Sequence, residues 1–135
     1  MYMELKLVNC DTQYWEFVRE LRLDFRVVIG FVDSNHIDPN QQKKYMTEHS
    51  DSYRIALVDG EPAGYVGVVD NDIRVCTHPD FQGKGLGKFM INEAMKIWPN
   101  AEAKVKKSNK ISSQLFISCG FSESSSDDKF IYYKK

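Results

Sequence analysis

The chain has no run of the roughly 18 consecutive apolar residues that a membrane-spanning helix needs. Its opening residues, Met1-Tyr2-Met3-Glu4-Leu5-Lys6-Leu7, lack the basic start and apolar block of a secretion signal. Cysteine is scarce: Cys10, Cys76 and Cys119 are odd in number and show neither Cys-x-x-Cys nor metal-ligand spacing. No disulfide framework and no metal are therefore expected, and reduced, partly buried thiols suit a cytoplasmic protein. An excess of charge of one sign is missing as well. With 18 basic and 19 acidic residues the net charge is −1, which gives no general attraction to nucleic acid or to an anionic membrane. Repeats and interdomain linkers are absent too, and the polar run Ser122-Glu123-Ser124-Ser125-Ser126-Asp127-Asp128 has the length of a loop. What remains is a chain of 135 residues with 42% hydrophobic content, enough to bury one core, so a single domain over 1–135 is expected.

The informative stretch is Thr77-His78-Pro79-Asp80-Phe81-Gln82-Gly83-Lys84-Gly85-Leu86-Gly87-Lys88. It follows a strand-like segment, residues 72–77, and leads directly into an apolar helical pattern. Strand, glycine-rich turn and helix start together make an anion cradle. Glycines let the backbone take positive φ and gather several N–H groups. The helix start adds unpaired N–H donors and the positive end of its dipole, and Lys84 and Lys88 add mobile positive charge. A P-loop would need Ser or Thr after Gly87-Lys88 and Gly at position 82, but Phe89 and Gln82 stand there. A dinucleotide fingerprint would need Gly-x-Gly-x-x-Gly, and Gly83, Gly85 and Gly87 run Gly-x-Gly-x-Gly instead.

Gln82, Gly85 and Gly87 do satisfy Gln/Arg-x-x-Gly-x-Gly/Ala. Further on, Asn109, Ser112, Phe116, Gly120 and Phe121 form a second spaced set. In both motifs, and in their order, the chain resembles the GNAT N-acetyltransferase superfamily, which uses acetyl-coenzyme A. The second set also has local reasons: Ser108 or Asn109 suits a helix N-cap, and Gly120 suits the left-handed position that ends a helix.

The resemblance implies an α/β (α+β) GNAT fold, a mixed twisted sheet of about six to seven strands with helices on both faces. It implies that the fourth and fifth strands splay and that pantetheine lies between them. Acetyl-CoA would be held as co-substrate by Gln82, Gly83, Lys84, Gly85, Leu86, Gly87 and Lys88, with Val75, Cys76, Thr77, Asn109 and Phe116 along its path. A backbone N–H near residues 75–77 would polarise the thioester carbonyl. The acceptor would be a primary amine on a small molecule or a peptide, and a homodimer is compatible with the resemblance.

A pass along the chain gives alternating elements. Strands are expected over residues 3–8, 53–58, 63–69, 72–77, 102–105 and 130–133, and helices over 14–22, 85–98 and 110–118. Asp38-Pro39-Asn40-Gln41 is a strong helix start, with an N-cap, Pro at N1 and Gln at N3, leading to about residue 49. Asp59-Gly60 signals a type I′ hairpin, and Asp70-Asn71 a second tight turn. Residues 122–128 are expected to be a polar turn, and residues 27–36 show no clear periodicity.

The site has one departure and one open role. In relatives the aromatic seven residues after the motif's Asn is commonly a Tyr that protonates the leaving thiolate; here it is Phe116. A thiol of pKa about 8.5 leaves tolerably as its anion, so slower catalysis is one outcome and a coenzyme-A-binding sensor or structural module is the other. Tyr132, Tyr133 or Cys119 are candidate replacements. The general base is open between Asp72, at the start of the fourth strand, and His36, in the region that walls the acceptor site in relatives. His78 reads as a loop residue. The stretch from Arg22 to Gln42, including Arg26, is weakly similar to enzymes that acetylate nucleotide-linked amino sugars, where Arg26 would meet a phosphate or form a surface ion pair.

Overall fold

A computed structural model describes residues 3–24, 26 and 38–135. Strand β1 (Leu5–Asn9) lies antiparallel against β2 (Tyr53–Val58), which turns into β3 (Glu61–Val69) and then β4 (Asp72–Thr77), in the order β1-β2-β3-β4. Two turns of one kind make this meander. Asp59 and Gly60 have φ of 50° and 85°, and Asp70 and Asn71 have 53° and 62°. Paired positive φ at two central residues is the type I′ geometry, whose twist matches that of the flanking strands.

Helices close both faces. Helix α1 (Trp15–Leu23) and α2 (Pro39–His49) cover one, and α3 (Leu86–Ile97) and α4 (Lys110–Ser118) the other. The strands sort their side chains between the two by period-two alternation. Ile55, Tyr65 and Cys76 pack with Val18, Leu21 and Met46 of α1 and α2, whereas Ala56, Val66 and Ile73 pack with Met90, Ile91 and Phe116 of α3 and α4. The start of α2 is the expected capping box: the Gln41 N–H donates to the Asp38 carboxylate at 2.8 Å, and the Asp38 N–H donates back to Gln41 Oε1 at 2.9 Å. Among the described residues no helix is long and apolar enough to cross a membrane.

Two expectations need correction. The described strands number seven, but they form two antiparallel sheets and not one mixed sheet. The second contains β5 (Ala103–Lys106), β6 (Ser122–Ser126) and β7 (Phe130–Lys134) in the order β5-β7-β6. One isolated parallel bridge, Asp72↔Glu102, joins the sheets. The expected polar turn over 122–128 is largely strand β6. All five of its residues are exposed, and it sits at a sheet edge paired only to β7. With neither face buried, no hydrophobic alternation marks it in the sequence.

Gly67 in the middle of β3 holds a tight contact. It pairs with Tyr53 on one side and Arg74 on the other, and a Cβ built there would lie 2.4 Å from the Tyr53 ring. The missing side chain lets that buried ring lie flat across the sheet. Gly67→Ala is expected to cost about 1–3 kcal/mol through overpacking, read as a lower urea midpoint with an unchanged m-value. A loss under half a kcal/mol would show that the ring relaxes freely.

Candidate active site

The site is built on β4, whose two edges differ. The Ile73 N–H donates to the Glu102 carbonyl at 2.9 Å, and the Glu102 N–H donates to the Asn71 carbonyl at 2.7 Å. These bonds tie the first residues of β4 to the entrance of β5. Farther along, β4 pairs among the described residues only with β3, from Gly64↔Thr77 to Val69↔Asp72. Backbone groups alternate between the edges of a strand. Since the Ile73 N–H points towards β5, those of Val75 and Thr77 point the same way, into a gap where no strand of the described residues meets them. The other set faces β3, as the bond from the His78 N–H to the Ala63 carbonyl at 2.7 Å shows.

Cys76 therefore stands between two gap-facing residues with its own backbone turned to β3; its carbonyl lies 2.6 Å from where a Gly64 Cβ would be. Its thiol packs with the α1 and α2 side of the core, and burial pushes its pKa up to about 12. It is an inert thiol in that position.

At the far end of β4 lies the glycine turn. Gly83 and Gly85 have φ of 77° and 79°, and nothing lies within 4 Å of a Cβ built on either. Gly85 caps α3, and the first helical bond runs from the Phe89 N–H to the Gly85 carbonyl at 3.1 Å. The N–H groups of Leu86, Gly87 and Lys88 precede that bond and have no partner inside the helix. Gln82, Lys84 and Lys88 are exposed. The arrangement is an open nest of donors at a helix start, suited to pyrophosphate oxygens. Two residues of the motif do other work. Leu86 is buried in the core, and a Cβ on Gly87 would lie 2.8 Å from Leu115 Cδ2, so Gly87 lets α3 approach α4.

The second motif falls on α4 as expected. Asn109 caps it, its side chain accepting from the Ser112 N–H at 3.2 Å. Phe116 is buried edge-on to Phe121, with ring centroids 5.2 Å apart. Of the suggested replacements for a Tyr hydroxyl there, Tyr133 and Cys119 are buried in the same core cluster. Tyr132 lies on the opposite face of β7 and donates its hydroxyl to Asp127 Oδ2 at 2.9 Å.

On the α1 and α2 face of β4 a group of side chains converges that the motifs do not mark. Asp72 and Arg74, two apart, share that face. Arg74 Nε lies 3.4 Å from Asp72 Oδ2, and its Nη1 donates to the hydroxyls of Tyr45 at 3.2 Å and Tyr53 at 3.4 Å. The two hydroxyls are bonded to each other at 2.7 Å. Burial raises the Tyr53 pKa, as does its bond to Tyr45, so it stays a hydroxyl. Partial burial also raises the Asp72 pKa, while Arg74 and Lys104 pull against it. The sequence signal for Arg74 was only its Asp-x-Arg spacing on a strand, and for the tyrosines there was none, because they come from α2 and β2.

The remaining candidates are dispersed. His36 lies outside the described residues. Arg26 forms a surface ion pair with Asp24 at 2.7 Å, the bland alternative for it. His78 Nδ1 accepts from the Asp80 N–H at 3.1 Å and so stabilises the loop before the glycine turn. A cavity of about 690 Å³ opens at the far edge of the sheet, among Cys10, Asp11, Trp15, Asp51 and Arg54, and contains none of the candidate residues. Among the described residues no His, Cys, Asp and Glu cluster could hold a metal ion.

Comparison with known proteins agrees with this geometry. Residues 15–121 match the Acetyltransferase (GNAT) family. No match is found among curated proteins. Among solved structures, the chain is similar to spermidine N-acetyltransferase from Vibrio cholerae in complex with CoA and spermine, at TM-score 0.78 and 15% identity over 96% of this chain and 92% of that one. It is similar to yncA from Salmonella typhimurium with its cofactor acetyl-CoA, at TM-score 0.76 and 15% identity over 98% and 92%. The Campylobacter jejuni N-acetyltransferase PseH gives TM-score 0.70 and 20% identity over 96% and 95%. At these identities the likeness is one of fold.

The raised Asp72 pKa has a stability signature. A carboxyl with a higher pKa folded than unfolded binds more protons in the native state, so its contribution falls as pH rises from the unfolded to the folded pKa. Asp72→Asn removes that loss. The variant is expected to gain melting temperature relative to wild type as pH rises above the ordinary carboxyl pKa of about 3.9. A parallel pair of melting curves over that range would mean Asp72 is solvated like any surface aspartate.

Proposed function

The chain belongs to the GNAT acetyltransferase family, and on that premise we propose that it moves an acetyl group from acetyl-CoA to a primary amine by direct attack in a ternary complex. The observation that carries this reading is the geometry of β4. Its gap-facing N–H groups lead to the open donor nest of Gly83, Gly85 and the start of α3, which fits an extended thioester ending in pyrophosphate. Bound acetyl-CoA supplies an acetyl group activated as a thioester.

The residues of this chain do the rest. Main-chain N–H groups of Leu86, Gly87 and Lys88, with the charges of Lys84 and Lys88, hold the pyrophosphate. On this reading Gln82 and Asn109 add side-chain contacts to the cofactor. The Val75 and Thr77 N–H groups bind as the missing neighbouring strand would be bound, and one of them donates to the carbonyl oxygen as charge develops on it. Asp72 accepts the proton of the attacking amine, directly or through water; its raised pKa makes it a better base than a solvated aspartate. Phe116 has no proton to donate, so on this reading the thiolate would leave as an anion and take its proton from solvent.

Phe116 also supports a second reading, a module that binds coenzyme A without turnover. Phe116→Tyr is expected to raise kcat if protonation of the thiolate limits the rate. Tight binding of acetyl-CoA with no release of coenzyme A across a broad amine panel would favour the second reading.

Two measurements test the main one. Saturating acetyl-CoA is expected to raise the melting temperature, since a ligand at 100 Kd adds about 2.7 kcal/mol to native-state stability. Gly85→Asp is expected to abolish the shift by placing a carboxylate against the pyrophosphate. No shift in the wild type would sink the proposal. For the base, Asp72→Asn is expected to lower kcat by roughly 10²-fold with the acetyl-CoA shift intact, and to remove the acidic limb of the pH–rate profile. Full activity in Asp72→Asn with loss in His36→Ala would transfer the role to His36.

A further inference from the structure

The group formed by Asp72, Arg74, Tyr45 and Tyr53 has an unbalanced hydrogen-bond inventory. A guanidinium carries five N–H donors and no acceptor, and each Tyr hydroxyl carries one hydrogen. Arg74 Nε–H is directed at Asp72 and Nη1 serves both hydroxyl oxygens. The bond between the hydroxyls consumes one of their two hydrogens. Two Nη2 hydrogens and one phenolic hydrogen remain without a partner among the described residues. Away from the Asp72 carboxylate, the surplus is three donors against one hydroxyl lone pair.

The charges lean the same way. Among the described residues, Arg74 faces one carboxylate, Asp72, with Lys104 close by between Asp72 and Asp127. The Arg74 side chain is 44% exposed, so its guanidinium is reachable, while Tyr53 is buried and fixed over Gly67. The Tyr45 ring packs on His49 with centroids 4.6 Å apart, which holds the second hydroxyl in place. A guanidinium pinned by two oriented hydroxyls is a rigid acceptor-seeking fork.

Resting on the acetyl-transfer reading above, we infer that this fork selects the acceptor: a short primary amine that also bears an anionic group, a carboxylate or a phosphate, a few bonds from its nitrogen. The amine sits at Asp72. The anion sits on the Nη2 edge of Arg74 and the spare hydroxyl of the Tyr45–Tyr53 pair. The short reach follows from the 3.4 Å between Arg74 Nε and Asp72 Oδ2. Arg74, Tyr45 and Tyr53 are thus binding residues that set specificity, and the site disfavours polyamines, whose extra ammonium groups would meet Arg74.

The test is coenzyme A release by the purified full chain with matched acceptors: L-amino acids against their carboxamides, glucosamine 6-phosphate against glucosamine, and spermidine. The anionic member of at least one pair is expected to be favoured 10-fold or more in kcat/KM, and the pair with the larger ratio identifies carboxylate or phosphate. Arg74→Gln is expected to raise KM for that acceptor about 10- to 100-fold, the usual span for a lost charged hydrogen bond, with little change in kcat, and to bring the ratio towards one. Arg74→Lys should restore part of it. Tyr45→Phe, which keeps the ring packing, should lower the ratio severalfold. Each variant is first checked for its acetyl-CoA melting shift, which reports folding and cofactor binding independently of the acceptor. Equal rates for the neutral partners, a preference for spermidine, or an unchanged ratio in Arg74→Gln would each overturn the inference while leaving acetyl transfer standing. So would a wild type that binds acetyl-CoA and acetylates no anionic amine. Absence of the acetyl-CoA shift would instead remove the acetyl-transfer reading and this inference with it.

Discussion

Among the described residues, strand β4 is paired along its full length on one edge only, and the rest of the site follows from that. Its first residues are bonded on both sides, to β3 and to the entrance of β5 through the Asp72↔Glu102 bridge. After this the second sheet diverges. Unpaired main-chain N–H groups inside a protein are costly, so a fold that leaves Val75 and Thr77 facing an open gap calls for a strand-like guest. The glycine turn and the start of α3 lie at the exit of the same strand. One geometric event, the separation of two strands, therefore supplies both the channel for an extended thioester and the direction in which its charged end emerges.

The opposite end of β4 is occupied by side chains. Asp72 and Arg74 share a face because strand side chains alternate, and that face is the one α1 and α2 cover. Gly67 connects this region to the backbone. By lacking a side chain it lets Tyr53 lie across the sheet, and the hydroxyl at the end of that ring meets Tyr45 and Arg74. The strand thus separates two tasks by atom type: main-chain donors face the gap along its middle, and charged side chains face the helices at its start. A substitution at Asp72 or Arg74 can alter acceptor handling without touching the donors of Val75 and Thr77.

Local sequence determined the features that depend on neighbours in the chain. The capping box of α2, the two positive-φ hairpins, the glycine turn before α3 and the Asn109 cap of α4 are each set within four residues by short-range sterics and hydrogen bonding, and each was legible, the last as one of two candidates beside Ser108. The existence of a donor nest at residues 82–88 was legible for the same reason. Tertiary structure decided the rest. Strand β6 carries no pattern because neither of its faces is buried, and only its pairing with β7 makes it a strand. Which of residues 75–77 present their N–H groups to the gap depends on the register of β4 against β3, a parity that no composition records. Gly87, placed by its motif at the phosphate, also owes its identity to Leu115 on another helix. The fork of Arg74, Tyr45 and Tyr53 joins residues up to 29 positions apart. Such contacts arise when a helix packs over a sheet that holds β2 and β4 on either side of β3, so the sequence holds the residues and the packing alone brings them together.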